Sequence, residues 1–291
     1  MVEDISVKNI GLEKSISNAV QRIFDLDRNR LIPGQDYRVN VQGSKKPYWK
    51  EDKAENPLFT YVSEERLQRP TYRSFIAMLD NYSSACGTAE NVTMSEVTEQ
   101  RTFLKSIMET APLKFCHTYL RENCTSRTIP ADAQGFQGLL YDLWFKLYGR
   151  SKGMKSDSSG FEHVFVGEIK EGEVSGLHNW IQIYLEEKKG NLDYRGYIKP
   201  RSKSAADSDG NDHVLTLQLV WNGVEKQLST SFIGVSPEFE VAVYTLCFLM
   251  GQENNIVELN TGTDIFDLNI RCFKIYGDKI GTTYPEALDH H

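Results

Sequence analysis

The chain has 291 residues, of which 40% are hydrophobic and 25% are charged, and its formal net charge is −7. This is the composition of an ordinary globular protein, and no apolar run approaches the roughly 18–20 residues that span a bilayer. The acidic balance argues against a protein that coats long nucleic acids, because such proteins are usually basic. Any RNA-binding site should therefore be local and cover a short footprint.

The first half of the chain has mainly helical periodicity. Segments with apolar residues at helical spacing are each predicted to be helices, and they cover 12–28, 71–83, 113–121 and 132–148. Thr93 and Glu96 have the spacing of a capping box, which begins a further helix that Pro112 breaks or kinks. Residues 36–41 have apolar residues at every second position, which predicts a short strand. The charged segment 43–58 is interrupted by Gly and Pro and is predicted to be a loop.

Strands dominate the second half, after a connector over 153–160 that is rich in Ser, Gly and Lys. Two alternating segments on either side of Asn222 and Gly223 predict a hairpin, whose strands cover 213–221 and 224–232. A helix is predicted from the N-cap Ser236 to Gly251, and two further strands are predicted over 255–259 and 268–276.

The sequence therefore predicts an α+β fold. A mainly helical part, 1–155, is expected to pack on an α+β part, 156–291, built from antiparallel sheets with helices. Because no long linker separates the two parts, we expect them to share one core and to form one domain.

The five cysteines form no CxxC pair, which argues against a zinc site and against a complete disulfide framework. We therefore expect reduced thiols. The first residues are acidic and polar and do not have the pattern of a signal peptide. A cytoplasmic or nuclear location is expected from this, and a secreted parent protein with further domains is also compatible with the sequence.

Residues 160–181 contain two of the six histidines. Aromatic and β-branched residues predict a strand over 161–169, with His163 on one face and Glu162 and Glu168 on the other. Ser175 is the expected N-cap of a following helix, which would place His178 in its first turn. The free amides at that helix end would disfavour a positive imidazole and attract an anion.

Two histidines in different environments could act as general base and general acid on a phosphate. Their spacing alone favours structural roles for both, because a histidine on a mixed strand is usually a satisfied structural residue.

The segment Phe161-Glu-His-Val-Phe-Val-Gly-Glu168, followed by Ser175-Gly-Leu-His-Asn-Trp180, resembles the signature of the EndoU (XendoU-like) family of uridylate-specific endoribonucleases. The likeness continues through 221–226, 232–240 and 280–285 and covers nearly the whole chain. The resemblance implies an EndoU-like fold and an enzyme that cuts single-stranded or loop RNA containing uridine. A monomer without a membrane segment is expected, and DNA is not an expected partner.

In the implied reaction the neighbouring 2′-hydroxyl attacks the phosphorus and expels the 5′-oxygen, which leaves a 2′,3′-cyclic phosphate and a 5′-hydroxyl. By resemblance His178 is the base, His163 is the acid and Lys226 stabilises the transition state, and the base and acid could be exchanged. On burial grounds alone, a lysine such as Lys226 is more often a solvated surface residue.

Glu162 and Glu168 also match family positions, and they could bind a divalent cation, orient a histidine from behind or lie on a solvated face. The family's animal members depend on Mn²⁺ and some respond to Ca²⁺, so one of these ions is the expected cofactor, with its site unlocated.

The resemblance also implies a base-binding group. Tyr284 would stack on or beside the uracil and Thr282 would help to position it, while Thr230 or Ser231 would read the uracil edge. The basic stretch 195–203 could guide phosphates or form an exposed loop.

The alternative function is an RNA-binding module of the same fold that does not cut. The sequence contains neither an HExxH motif nor a Cys/His cluster, so zinc catalysis has little support. It also contains no Gly-x-Ser-x-Gly motif, so serine hydrolysis is unsupported. A His-x-Ser/Thr phosphodiesterase is also unsupported, because His163 and His178 lack the following hydroxyl residue.

Overall fold

The computed structural model describes residues 15–82, 84, 87, 92–199 and 208–288. The helices are α1 (15–26), α2 (Glu64–Leu67), α3 (Pro70–Ile76), α4 (Met94–Met108), α5 (Ala111–Asn123), α6 (Ala133–Trp144), a π-helix (Glu162–Val166), α7 (Trp180–Lys189) and α8 (Pro237–Met250). The strands are β1 (Tyr37–Val39), β2 (Ser44–Lys45), β3 (Phe59–Val62), β4 (Glu168–Lys170), β5 (Glu173–Ser175), β6 (Leu192–Ile198), β7 (Val214–Trp221), β8 (Val224–Phe232), β9 (Asn254–Asn260), β10 (Ile265–Ile275) and β11 (Lys279–Ala287).

Local sequence signals locate several helix ends correctly. The Thr93 side chain accepts from the Glu96 amide and Glu96 bonds back to Thr93, so the predicted capping box begins α4. Pro112 lies in the first turn of α5, where its missing N–H leaves no hydrogen bond unmade. Ser236 caps α8 through the Phe239 amide. The predicted helices over 71–83 and 132–148 end earlier, at Ile76 and Trp144.

The strands form two larger sheets and two hairpin sheets. The four-stranded sheet has the order β2-β6-β7-β8, in which β6, β7 and β8 are antiparallel and β2 is parallel to β6. The three-stranded antiparallel sheet has the order β11-β10-β9, and β1–β3 and β4–β5 are separate pairs. The hairpin around Asn222 and Gly223 is confirmed, with φ of 49° and 79° at these residues.

The sequence-based prediction missed five strands. β2 lies inside the segment predicted to be a loop, and β3, β5, β6 and β11 were not expected. β2 has only two residues, and a strand this short carries no alternating pattern.

One apolar core joins residues from both halves of the chain. Phe75 of α3 packs edge-on against Phe161 and Phe165, with ring centroids 5.5 Å apart in both pairs, and Trp144 of α6 lies 5.1 Å from Phe165. α8 is buried along almost its whole length and contacts α3, α5, β10 and β11. The α+β class is confirmed, while the division at residue 155 stays a prediction.

Four cysteines lie in the described part of the chain, Cys116, Cys124, Cys247 and Cys272, and they carry free thiols. Cys86 lies outside the described residues. Within the described residues, no helix combines the length and the apolar character needed to cross a bilayer.

Candidate active site

A cavity of about 340 Å³ brings together most of the side chains singled out from the sequence. It lies between the π-helix, the connection from β5 to α7, and the strands β8 and β11. The predicted residues that line it are His163, His178, Lys226, Thr230, Thr282 and Tyr284. Ser231, Glu162 and Glu168 are buried and do not line it.

The segment that carries His163 is helical, so the strand predicted over 161–169 is wrong for most of its length. Residues 160–161 are helical, the π-helix Glu162–Val166 follows, and only the end of the segment enters β4. Phe161 and Phe165 share a face in both conformations, because a spacing of four fits a strand and a helix alike. Their rings pack 5.2 Å apart in the core. Gly167, with φ of 93°, ends the π-turn.

This geometry places Glu168 beside His163. The sequence-based prediction, which placed the two residues on opposite faces of a strand, is therefore wrong. The Nδ1–H of His163 donates to Oε2 of Glu168 at 2.7 Å, and both side chains are buried. Nε of Arg150 lies 3.3 Å from the same carboxylate oxygen. Glu168 therefore orients His163 from behind. A solvated face is ruled out for both Glu162 and Glu168, because both are buried.

Opposing effects act on this buried pair. Burial lowers the pKa of His163 below its ordinary value, and the hydrogen bond to Glu168 opposes the shift. Burial acts to raise the pKa of Glu168, but the bond from His163 and the charge of Arg150 outweigh it and lower that pKa. Glu168 thus remains ionised and supplies His163 with a counter-ion.

The N-cap of α7 is Asn179, and the expected cap at Ser175 is wrong. The Asn179 Oδ1 accepts from the amides of Ile181 and Gln182, both at 3.0 Å. Ser175 instead ends β5, paired with Glu168. His178 therefore precedes the helix and does not lie in its first turn. Asparagine is as good a cap as serine, and only the tertiary fold chooses between them here.

Backbone hydrogen bonds tie the two histidine segments together. The Leu177 amide donates to the His163 carbonyl at 3.2 Å, and the His178 amide donates to the Val164 carbonyl at 3.0 Å. Gly176 makes this approach possible, since a Cβ there would lie 1.6 Å from the His163 carbonyl oxygen. Its φ of 68° also suits glycine. The separation of the histidines is thus set by backbone contacts.

The two ring nitrogens of His178 differ: Nδ1 is hydrogen-bonded to the protein, and Nε2 can accept a proton. Nδ1 lies 3.1 Å from the Thr230 carbonyl oxygen, which can only accept, so Nδ1 carries the proton in the neutral ring. The ring stacks on Tyr284 with centroids 4.5 Å apart and planes 10° apart. Burial lowers the pKa of His178 well below its ordinary value, and Lys226 adds to the effect. His178 is therefore neutral near pH 7, with Nε2 free to accept a proton.

Lys226 is buried, contrary to the usual solvated position of a lysine. Its Nζ donates to the Gly176 carbonyl oxygen. A bulge in β8, where Gln227 and Leu228 lie opposite the single residue Gln218, shifts the strand register beside Lys226. Burial lowers its pKa to about 7, so an incoming anion would favour the charged form.

The predicted base-binding residues divide between the cavity and the core. The Thr230 side chain lies at the cavity and bonds the Thr216 hydroxyl at 3.0 Å, while Ser231 is fully buried outside it. Thr282 lines the cavity, and its hydroxyl has no hydrogen-bond partner among the described residues. Of the alternatives Thr230 and Ser231, the structure therefore places Thr230 at the cavity.

The described residues do not fit a resident metal ion. No group of three or more His, Cys, Asp or Glu side chains in the described part of the chain is arranged to hold one. Oε2 of Glu168 is already engaged by His163 and Arg150. This carboxylate oxygen is therefore not available to a cation in this arrangement.

Sequence reasoning missed Arg150, which follows an apolar helix and has no motif around it. Besides its contact to Glu168, its guanidinium donates to the hydroxyl of Ser158 at 3.1 Å and to the carbonyl of Gly281, next to Thr282. Arg150 therefore connects the His163–Glu168 pair to β11. In the predicted basic stretch, Arg195 is paired with Asp193 and Asp52, and Arg201 and Lys203 lie outside the described residues.

Known proteins resemble this chain over nearly its full length. A family model described as endoribonuclease XendoU matches residues 15–285. The uridylate-specific endoribonuclease B of Danio rerio is 43% identical over 278 residues, which cover 94% of this chain and 96% of that protein. The poly(U)-specific endoribonuclease-A of Xenopus laevis is 44% identical over 286 residues, which cover 95% of each chain.

The fold agrees with this similarity. A solved structure of XendoU, described as a splicing independent snoRNA processing endoribonuclease, superposes with a TM-score of 0.80 at 42% identity. The match covers 94% of this chain and 96% of that one. The chain therefore belongs to the XendoU family of endoribonucleases.

Proposed function

We propose that this endoribonuclease cleaves single-stranded RNA 3′ to uridine, by attack of the uridine 2′-hydroxyl on the adjacent phosphorus. The products are a 2′,3′-cyclic phosphate and a 5′-hydroxyl. One observation carries the proposal: two buried imidazoles with different partners line one cavity together with a buried lysine. This set matches the base, acid and cation that the reaction requires.

His178 is the better base. Its Nδ1 is held by the Thr230 carbonyl, and its lowered pKa leaves Nε2 unprotonated near neutral pH. Nε2 takes the proton of the 2′-hydroxyl as the O2′–P bond forms.

His163 is the better acid, because the Glu168 carboxylate stabilises its protonated form. It gives a proton to the 5′-oxygen as the P–O5′ bond breaks. After product release the base loses its proton to solvent and the acid regains one, which restores the starting state.

Lys226 stabilises the charge on the phosphoryl oxygens. Its ammonium is buried beside both histidines, where a charge interacts more strongly than in water. Its pKa of about 7 means that the approaching phosphate helps to protonate it.

Uridine preference is proposed from the base-binding side of the cavity and from the names of the relatives. Tyr284 offers a ring beside His178, and Thr282 and Thr230 line the cavity, where the buried Thr282 hydroxyl has no hydrogen-bond partner among the described residues. A hydroxyl can donate or accept, so it can pair with the N3–H or a carbonyl of uracil.

Stimulation by Mn²⁺ or Ca²⁺ remains part of the proposal, although the described side chains offer no cluster for such an ion. An ion that binds through RNA phosphates would be consistent with this structure. The steps above use only groups of the protein.

The test uses a short RNA with one uridine and the same RNA with deoxyuridine at that position. Both are incubated with and without Mn²⁺ or Ca²⁺, beside His178→Ala. His213→Ala is the matched control, because His213 is also buried and bonded to a carbonyl, that of Ile233, but lies outside the cavity.

The expected result is cleavage 3′ to uridine that disappears with deoxyuridine and with His178→Ala and persists in His213→Ala. Cleavage of the deoxyuridine RNA would exclude 2′-hydroxyl attack. Binding without cleavage would instead identify a non-cutting RNA-binding module.

A further inference from the structure

Residues 46–50, Lys-Pro-Tyr-Trp-Lys, form an exposed loop after β2, which we call the aromatic loop. Tyr48 is 77% exposed and its neighbour Trp49 is 45% exposed. Nζ of Lys46 lies 5.5 Å from the centroid of the Trp49 ring. Two adjacent large rings therefore face solvent with a cation beside them, which is the composition of a stacking platform for nucleobases.

The backbone of the aromatic loop is strained in a way that exposes Tyr48. The Trp49 amide donates to the Lys46 carbonyl at 3.2 Å, which closes a four-residue turn with Pro47 at its second position. Tyr48 occupies the third position with φ of 68°. Glycine normally takes that position, because other residues are strained there. Contacts of the Tyr48 ring with the protein do not compensate the strain, since most of the ring is exposed.

The aromatic loop also carries positive charge that the described residues do not neutralise. Lys46 and Lys50 are exposed and have no carboxylate partner among the described residues. The two acids that follow the loop are each engaged by another cation, Glu51 by Lys53 at 2.7 Å and Asp52 by Arg195 at 3.3 Å. Two cations at one place, neither paired with a carboxylate of the described residues, form a local anion-attracting site in a chain of net charge −7.

The aromatic loop follows the edge strand of the sheet that carries the cavity. One row of the sheet runs from Ser44 of β2 through Tyr197 and Leu217 to Ser229 of β8. Three strand spacings separate its ends by about 14 Å. Ser229 directly precedes Thr230, which lines the cavity. A strand of a few nucleotides that leaves the cavity can therefore reach the loop.

We propose that the aromatic loop binds single-stranded RNA nucleotides that flank the cleaved uridine. Bases stack on Tyr48 and Trp49, and phosphates pair with Lys46 and Lys50. This inference rests on the proposed function for its choice of ligand. It explains how an acidic protein retains RNA over a short footprint without a long basic surface.

The test compares an RNA of about 12 nucleotides containing one uridine with the dinucleotide uridylyl-adenosine. Tyr48→Ala combined with Trp49→Ala should lower kcat/KM on the long RNA about tenfold or more and leave the dinucleotide unchanged. Lys46→Ala combined with Lys50→Ala should reduce the slope of log Kd against log salt by about 1.4 for the deoxyuridine form of the long RNA.

Tyr61→Ala is the matched control. Tyr61 is 43% exposed, with the guanidinium of Arg38 5.4 Å from its ring, and it lies in the separate β1–β3 sheet. This variant should leave kcat/KM unchanged on both substrates. Equal losses on both substrates in the loop variant, or no loss on either, would overturn the inference.

If the wild-type protein cuts neither RNA, the proposed function fails, and binding decides the inference. The loop variant must then bind the uncleavable long RNA about tenfold more weakly than wild type. Equal affinities would refute the role of the loop.

Discussion

The variant Glu168→Gln distinguishes the proposed acid role of His163 from the proposed base role of His178. The carboxylate of Glu168 accepts from His163 at 2.7 Å in a buried site, so it stabilises the imidazolium that acts as the acid in the proposed reaction. A hydrogen bond between charged groups contributes about 1.5–3 kcal/mol and a neutral one about 1 kcal/mol. The substitution should therefore weaken the acid by about 0.5–2 kcal/mol, which corresponds to a loss of about 2- to 30-fold in kcat/KM on RNA.

The assay varies the leaving group. RNA expels an alkoxide that needs a proton, whereas uridine 3′-(4-nitrophenyl phosphate) expels a phenolate that leaves without one. Glu168→Gln and His163→Ala should lose activity on RNA and lose little on the nitrophenyl ester, because only the acid step becomes dispensable. His178→Ala should lose activity on both substrates, because the 2′-hydroxyl still needs a base.

Glu186→Gln is the control for Glu168→Gln. Glu186 is also a buried carboxylate, paired with Lys189 at 2.9 Å and with the Trp221 indole at 3.0 Å, and it lies outside the cavity. An equal loss on both substrates for Glu168→Gln would refute its role in the acid step. Recovery of His178→Ala on the nitrophenyl ester would show that the base and acid are exchanged.

We also expect Glu168→Gln to shift the pH profile of kcat/KM in a defined direction. The acid must be protonated, so activity falls as pH rises through the pKa of His163. Removing the negative charge of Glu168 lowers that pKa further below its ordinary value. The alkaline limb of the kcat/KM profile should therefore move to lower pH in Glu168→Gln and stay in place in Glu186→Gln.

Two further variants test how much the burial of Lys226 destabilises the protein and how tightly the backbone packs at Gly176. Lys226→Met should abolish cleavage and yet raise the free energy of unfolding by about 5 kcal/mol below pH 7, because burial lowers the Lys226 pKa from 10.5 to about 7. Since the unfolded chain binds more protons between those values, the gain should shrink as pH rises towards 10.5, and a pH-independent gain in denaturant titrations would contradict this. Gly176→Ala should destabilise by more than about 2 kcal/mol and inactivate, because its Cβ would overlap the His163 carbonyl. Gly172→Ala has a similar positive φ of 81° but open space, so it should cost only about 1 kcal/mol, and equal costs in thermal denaturation would refute the steric argument.

The parts of the fold that were predictable depend on local chemistry. The Asn222-Gly223 hairpin, the Thr93 capping box and the Ser236 cap each use residues within a few positions of one another. In each case the conformational preference of the residue type is enough to place the element.

The segment around His163 could not be predicted in the same way. Phe161 and Phe165 fit one face of a strand and one face of a helix, so their spacing does not distinguish the two. The π-turn brings Glu168 back to His163, whereas the strand prediction placed them on opposite faces. The wrong conformation therefore also gave the wrong partner.

The sequence by itself determined the family, the α+β class and the residue types of the site, because long ordered motifs and local propensities are read along the chain. Only the tertiary structure decided that His163 pairs with Glu168, that Asn179 and not Ser175 caps α7, and that Lys226 is buried. These features depend on which distant segments pack together. The charge states of the site follow from that packing, since a pKa is set by burial and by neighbouring charges that no single segment contains.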